Sequence, residues 1–175
     1  MRQLFTTLIV WLLLIAMEQP AAAANLTRGE VAVKATFMVK FTSYIDWPSS
    51  TLQTGQPIIF CVIGADQFSE VLDNAALQQQ NRGRQIVVRR VSSQQINACH
   101  IAYLGGSAGD LTQTLSATRG RPIVTITDSR ISPSKGTIHF QVAAGKVRFD
   151  INASAAKLSG LTVSSHLLGL ARVVK

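Results

Sequence analysis

Residues 57–64 read PIIFCVIG, a continuous apolar run of the kind buried on both faces of a parallel sheet. Gly64-Ala65 turns the chain, and Asp66 is placed to N-cap a helix that runs to about Gln80. Asn81-Arg82-Gly83 is a turn, and residues 85–91 (QIVVRRV) are a second strand. Ser92 or Ser93 caps a short helical turn before Cys99. Residues 100–104 form a third strand and Gly105-Gly106 a turn. Asp110 caps a helix to about Thr118, which Gly120 stops, and residues 122–127 (PIVTIT) form a fourth strand. Strand and helix alternate, which demands right-handed crossovers and a mainly parallel sheet. The fold class is α/β, a Rossmann-like α/β/α sandwich with helices on both faces.

Farther along, the period changes. Ile138, Phe140 and Val142 alternate with Thr137, His139 and Gln141, and Val147, Phe149 and Ile151 alternate with Lys146, Arg148 and Asp150. Period two on both sides of Ala144-Gly145 is an antiparallel hairpin with one buried face. A two-residue loop sets Val142 opposite Val147, Phe140 opposite Phe149, Ile138 opposite Ile151 and, on the polar face, His139 opposite Asp150. A one-residue slip would mismatch the faces. A small-residue segment, 153–160, leads to a closing helix whose stripe is Val163, Leu167, Leu170, Ala171 and Val174, capped by Ser164 or Ser165.

On the N-terminal side, residues 30–47 read as a helix with Val33, Phe37, Phe41 and Tyr44 in one stripe and Lys34, Lys40 and Ser43 away from it. Trp47-Pro48 ends it. Ahead lie a basic Arg2, an apolar run over 4–17 and small residues at 21–24, the pattern of a signal peptide cleaved near Ala24. That run is shorter than the roughly 20 residues that span a bilayer. The expectation is a single domain over 25–175 outside the cytoplasm, in the periplasm of a bacterium.

The formal charge is +8, carried by dispersed cations without interleaved aromatics, so nucleic acid is a poor partner. An acidic protein domain or anionic head groups suit that charge better. Cys61 and Cys99 are 38 residues apart, a spacing that serves neither a CxxC redox site nor a zinc ribbon. Export favours a structural disulfide over two buried thiols.

Catalytic motifs are missing from the sequence: no GxSxG, Walker loop, HExxH or GxGxxG. His100, His139 and His166 sit on separate elements, so neither a metal nor a cofactor is expected. In open parallel sheets ligands bind outside the carboxyl ends of the strands. Gly64, Asp66, Gly105, Gly106, Asp128 and Ser129 fall at such ends and could line a polar crevice, although tight connections need glycines and capping aspartates anyway. The hairpin's polar face, with His139, Arg148 and Asp150, is a candidate partner surface.

Laid out in this way, the chain resembles the YfiR family of periplasmic proteins. The resemblance is carried by Ala35, Phe37, Phe41 and Trp47-Pro48, CVIG at 61–64, CHIAYLG at 99–105 and VTITDS at 124–129. GTIHF at 136–140, GKVRFDIN at 145–152 and SGLTVSSHLLGLARVV at 159–174 are its clearest part. It implies a non-enzymatic α/β sandwich that can form a homodimer. The best-known member binds the periplasmic domain of an inner-membrane diguanylate cyclase and holds it inactive. An outer-membrane lipoprotein sequesters that member and relieves the inhibition, so cyclic di-GMP and biofilm behaviour follow an envelope signal. That member carries two disulfides, whereas Cys61 and Cys99 allow at most one intramolecular bridge here. A different membrane receptor, or a small ligand in the crevice, is the alternative.

Overall fold

Nine strands and five α-helices appear in the computed structural model among the residues it describes, 27–79 and 84–175. The leader at 1–24 and the turn expected at 81–83 lie outside them. The chain runs α1 (Arg28–Phe41), β1 (Ile45–Asp46), β2 (Ile58–Gly64), α2 (Glu70–Gln78), β3 (Ile86–Val91), a 3-10 turn (Ser93–Ala98), β4 (Ile101–Gly105) and α3 (Ala108–Ala117). It continues β5 (Val124–Asp128), β6 (Ile138–Ala143), β7 (Lys146–Ile151), α4 (Ala153–Leu158), β8 (Thr162–Val163), α5 (Ser165–Leu170) and β9 (Val173–Val174).

Seven strands make one sheet in the order β3-β2-β4-β5-β6-β7-β9, parallel except where β7 folds back on β6. Strand alternation divides the core in two. Phe60, Val62, Tyr103, Ile126 and Phe140 join the residues of α1 and α2, while Cys61, Ile63, Ala102 and Leu104 pack with Ile96 and Leu111 on the other side. Helices therefore cover both faces of an α/β sandwich.

The hairpin register follows the alternation. Ile138 pairs with Ile151, His139 with Asp150, Phe140 with Phe149 and Val142 with Val147. Ala144 and Gly145 both have positive φ, 49° and 70°, the signature of the two-residue turn whose twist matches the strands. Cys61 and Cys99 form a disulfide with both residues buried, tying β2 to the entry of β4.

The first helix departs from the expected one in length and in face. Thr27 and Glu30 form a reciprocal capping box, so it starts at Arg28. It stops at Phe41, where the Thr42 hydroxyl donates to the Val39 carbonyl at 2.6 Å, and the chain passes into β1, which pairs with β8. Trp47-Pro48 thus follows a strand. The buried positions are Lys34, Ala35, Met38, Val39 and Phe41, while Val33 is 44% exposed. Lys34 does not lie away from the core; it is fully buried. Its Nζ meets Asp128 Oδ2 at 2.6 Å and lies 5.9 Å from the centre of the Phe140 ring. The attraction of the β5 carboxylate turns the helix so that a lysine replaces Val33 on the inner face. One turn earlier, Glu30 meets Arg130 at 2.6 Å, and Phe41 packs edge-on against Phe149 with ring centres 5.0 Å apart.

The C-terminal region also differs. Residues 153–158 are α4, capped by Asn152, whose side chain accepts from the Ala155 N–H. Beyond β8, Ser164 caps the short α5, and the chain then leaves the helix to join the free edge of β7. The N–H of Arg172 donates to the Phe149 carbonyl at 2.8 Å and that of Lys175 to Ile151 at 3.0 Å. The open sheet edge captures residues whose spacing suits a helix. Leu170 and Val174, expected in a buried stripe, are exposed, and Leu167 is the buried anchor.

Removing one member of a buried ion pair strands the other charge, so Lys34→Met should lower unfolding free energy by about 3–5 kcal/mol. The double variant Lys34→Met/Asp128→Leu should recover part of that loss in chemical denaturation. An exposed, independent lysine would instead give a near-zero change.

Candidate functional site: the strand-end crevice and the hairpin face

The chain leaves β2 towards β3 on one side, while β4 lies on its other side, so the exits of β2 and β4 diverge. Their backbones touch there. A Cβ on Gly64, where φ is 84°, would stand 2.8 Å from the Gly106 nitrogen, and one on Gly105 would stand 2.1 Å from the Ala65 oxygen. Glycine is thus required at 64 and 105 by the close approach of two connections. Beside them opens a cavity of about 470 Å³, lined among others by Gly64, Gly106, Ser92, Ser93, Ile63 and Leu104. This is within the range of small-molecule sites.

Only part of the expected crevice assembles. Gly64 and Gly106 line the cavity and Gly105 packs behind them. Asp66 turns away: its Oδ1 accepts from the N–H groups of Phe68 and Ser69 at 2.8 and 3.0 Å, and its Oδ2 from Arg90 at 2.9 Å. Burial pushes its carboxyl up, but those N–H groups and the Arg90 guanidinium outweigh burial and leave it below the usual range. Asp66 organises the turn before α2; it is not the helix's N-cap, which is Ser69. Asp128 is committed to Lys34 and to the Arg130 N–H at 3.0 Å, and the Ser129 N–H donates to the Phe140 carbonyl. Neither Asp128 nor Ser129 reaches the cavity. Ser107, rather than Asp110, caps α3, and Asp110 instead lines the cavity. Ser92 and Ser93 are additions: the sequence marks them as a cap, and only strand order brings that cap to the β2 exit.

The hairpin's polar face is more enclosed than its alternation indicates. His139 is 2% exposed and Asp150 8%, so of the three candidate surface residues Arg148 alone is exposed. Loop 129–137 and Arg172 close over the other two. Thr127 Oγ1 accepts from the Gly136 N–H at 2.9 Å, leaving its proton for His139 Nδ1 at 2.8 Å. Asp150 Oδ2 accepts from Gln141 at 3.0 Å and Arg172 at 2.6 Å, with Lys135 Nζ 3.8 Å away. Asp150 Oδ1 is buried without a hydrogen-bond partner. The expected cross-strand His139–Asp150 pair aligns by register, yet each side chain is held by other groups.

His100 is a structural latch. Its Nδ1 accepts from the Ile59 N–H at 2.9 Å, which leaves Nε2–H to donate to the Thr51 carbonyl at 3.3 Å. Its own carbonyl accepts from the Trp47 indole at 3.1 Å. Trp47 and His100 thereby pin the segment after β1 against β2. Among the described residues no three His, Cys, Asp or Glu side chains gather as metal ligands, and no helix is long and apolar enough to cross a membrane.

A sequence model described as YfiR/HmsC-like matches residues 31–172, from the first turn of α1 to the threshold of β9. The chain belongs to the YfiR/HmsC-like family. No curated protein matches it significantly. The YfiR/HmsC-like family is periplasmic and regulatory rather than catalytic, linked to diguanylate cyclase signalling. A glycine-walled cavity at the strand ends is a feature that a binding protein can use.

Half-buried His100 and buried His139 both lie below the usual imidazole range. Burial depresses His100, with Arg84 adding to it against the Thr51 hydrogen bond. Burial also depresses His139, with Lys135 and Arg172 adding to it against the carboxylates of Asp150 and Asp128. Groups whose folded values lie below the unfolded one stabilise fully above about pH 6.5, and that contribution is lost as pH falls through the folded values. Melting temperature should therefore drop below about pH 6.5, and the drop should shrink in His139→Gln. A profile unchanged by that substitution would count against the assignment.

Proposed function

We propose that the protein is a periplasmic regulator that binds the periplasmic domain of an inner-membrane diguanylate cyclase and holds it inactive, limiting cyclic di-GMP and biofilm formation. The observation that carries this reading is the family match over residues 31–172, which takes in every strand of the main sheet except β9. The leader pattern at 1–24 supports export to the compartment where such a domain is reached. Release of the cyclase would follow sequestration of the protein by an outer-membrane lipoprotein, and the active form could be a homodimer. Nothing in this role requires a catalytic group.

A second reading has its own observation, the 470 Å³ cavity where strand order diverges. There the protein is a sensor whose small ligand sets its affinity for a membrane receptor. The cavity wall combines apolar side chains with the Ser92 and Ser93 hydroxyls, the Gln94 and Gln113 amides and the Asp110 carboxylate, which suits a compact ligand with both apolar and hydrogen-bonding groups.

Deleting the gene should raise cellular cyclic di-GMP and surface attachment, and a plasmid copy should restore both. Unchanged cyclic di-GMP in the deletion strain would remove the cyclase reading. For the sensor, a ligand at about 100 times its dissociation constant adds about 2.7 kcal/mol of stability. Gly106→Leu should abolish that thermal shift by filling the cavity without backbone strain, since a Cβ at 106 makes only ordinary contact with Asp110.

A further inference from the structure

The face of the sheet opposite α1 is covered unevenly. The 3-10 turn and α3 shield its β2–β4 half, whereas Thr125 of β5, Thr137 just before β6 and Asp150 of β7 border a groove. Its larger part, about 230 Å³, lies between the end of α3 and the length of α4, and is lined by Arg119, Lys135, Leu115 and Leu158 among others. A recess of about 40 Å³ adjoins it, sharing Lys135, Gly136 and Asn152 and reaching His139 and Asp150.

Three properties define what the groove accepts. Its charge is positive: Arg119 and Lys135 line it and Arg172 stands at Asp150, while Asp150, the one carboxylate among the lining side chains, is already bonded to Arg172. Its size is below the roughly 300–1,000 Å³ of sites that enclose free small ligands, and suits one or two side chains of a docked chain. Its rim holds Leu158, 81% exposed, beside Leu115, so cations flank an apolar spot as at the centre of a protein interface. At the far end, Asp150 Oδ1 lacks a donor, which an entering N–H group would supply.

We propose that this groove docks an acidic, extended segment of a protein partner, its carboxylates on Arg119 and Lys135 and an apolar side chain against Leu158. The inference deepens the proposed regulatory role by placing the partner surface and its chemistry. The site spans α3, the β5–β6 connection and α4, beyond the hairpin residues that the alternating pattern marks.

The test is selection of a displayed random dodecapeptide library on the intact protein, followed by fluorescence anisotropy of the enriched peptides. Sequences with at least two acidic residues and a bulky apolar one should dominate. Arg119→Glu and Lys135→Glu should each weaken them about tenfold or more, more strongly at low salt. Arg119→Gln and Lys135→Gln, at exposed positions, should keep the wild-type melting temperature and show a smaller loss. Enrichment without acidic residues, or affinity that survives the charge reversals, would overturn the proposal. So would loss of phosphatidylglycerol vesicle binding in the same variants without acidic peptides, which would make the face a membrane contact. Acidic peptides that bind while the deletion strain keeps its cyclic di-GMP would leave the groove assigned and the cyclase reading refuted. The opposite pair of results would do the reverse.

Discussion

Lys34 and Asp128 form an ion pair in which neither side chain is exposed to solvent, and the orientation of the first helix depends on it. An unpaired charge in that position would cost several kcal/mol, so the helix can seat only with its lysine against the end of β5. That rotation also sets Glu30 over Arg130 and Phe41 on Phe149. The same carboxylate accepts the Arg130 N–H and shapes the β5–β6 connection. Since that connection carries Lys135 and Gly136, the pair on one face of the sheet helps form the groove on the other.

The remaining polar side chains inside the fold serve the same end of holding connections. His100 substitutes a ring nitrogen for a strand acceptor at Ile59, and Asp66 gathers the N–H groups entering α2. Gly64 and Gly105 let two loops pass within backbone contact. With these residues occupied in structure, the cavity beside Gly106 and the cationic groove are among the surfaces left open by the described residues. A regulator that works by contact needs such surfaces and no reactive group.

Where local pattern and packing agree, the sequence is a reliable guide. Apolar runs at β2 and β5 and the alternation at β6 and β7 specify their own environments, so strand class and hairpin register could be read directly. The Cys61–Cys99 bridge joins a thiol in β2 to one just ahead of β4, the strand beside it. The crevice was legible at its glycines, because close approach demands them, and illegible at Ser92 and Ser93, whose place depends on which strand lies next to which. Asp66 and Asp128 carry the right chemistry for a polar site, but Arg90 and Lys34 claim them.

By itself the sequence determined the α/β class, the hairpin register and the family-like character of the chain, because these rest on short-range periodicity and fixed residue spacing. The tertiary structure alone decided which face of α1 is inward, that residues 173–174 end in a strand, and that His139 and Asp150 are enclosed. Each of these turns on a long-range partner: a carboxylate 94 residues from Lys34, the open edge of β7, or Arg172 folded over Asp150. Side-chain periodicity carries no record of such partners, since burial of a charge or capture by a sheet edge is settled by what the rest of the chain brings alongside.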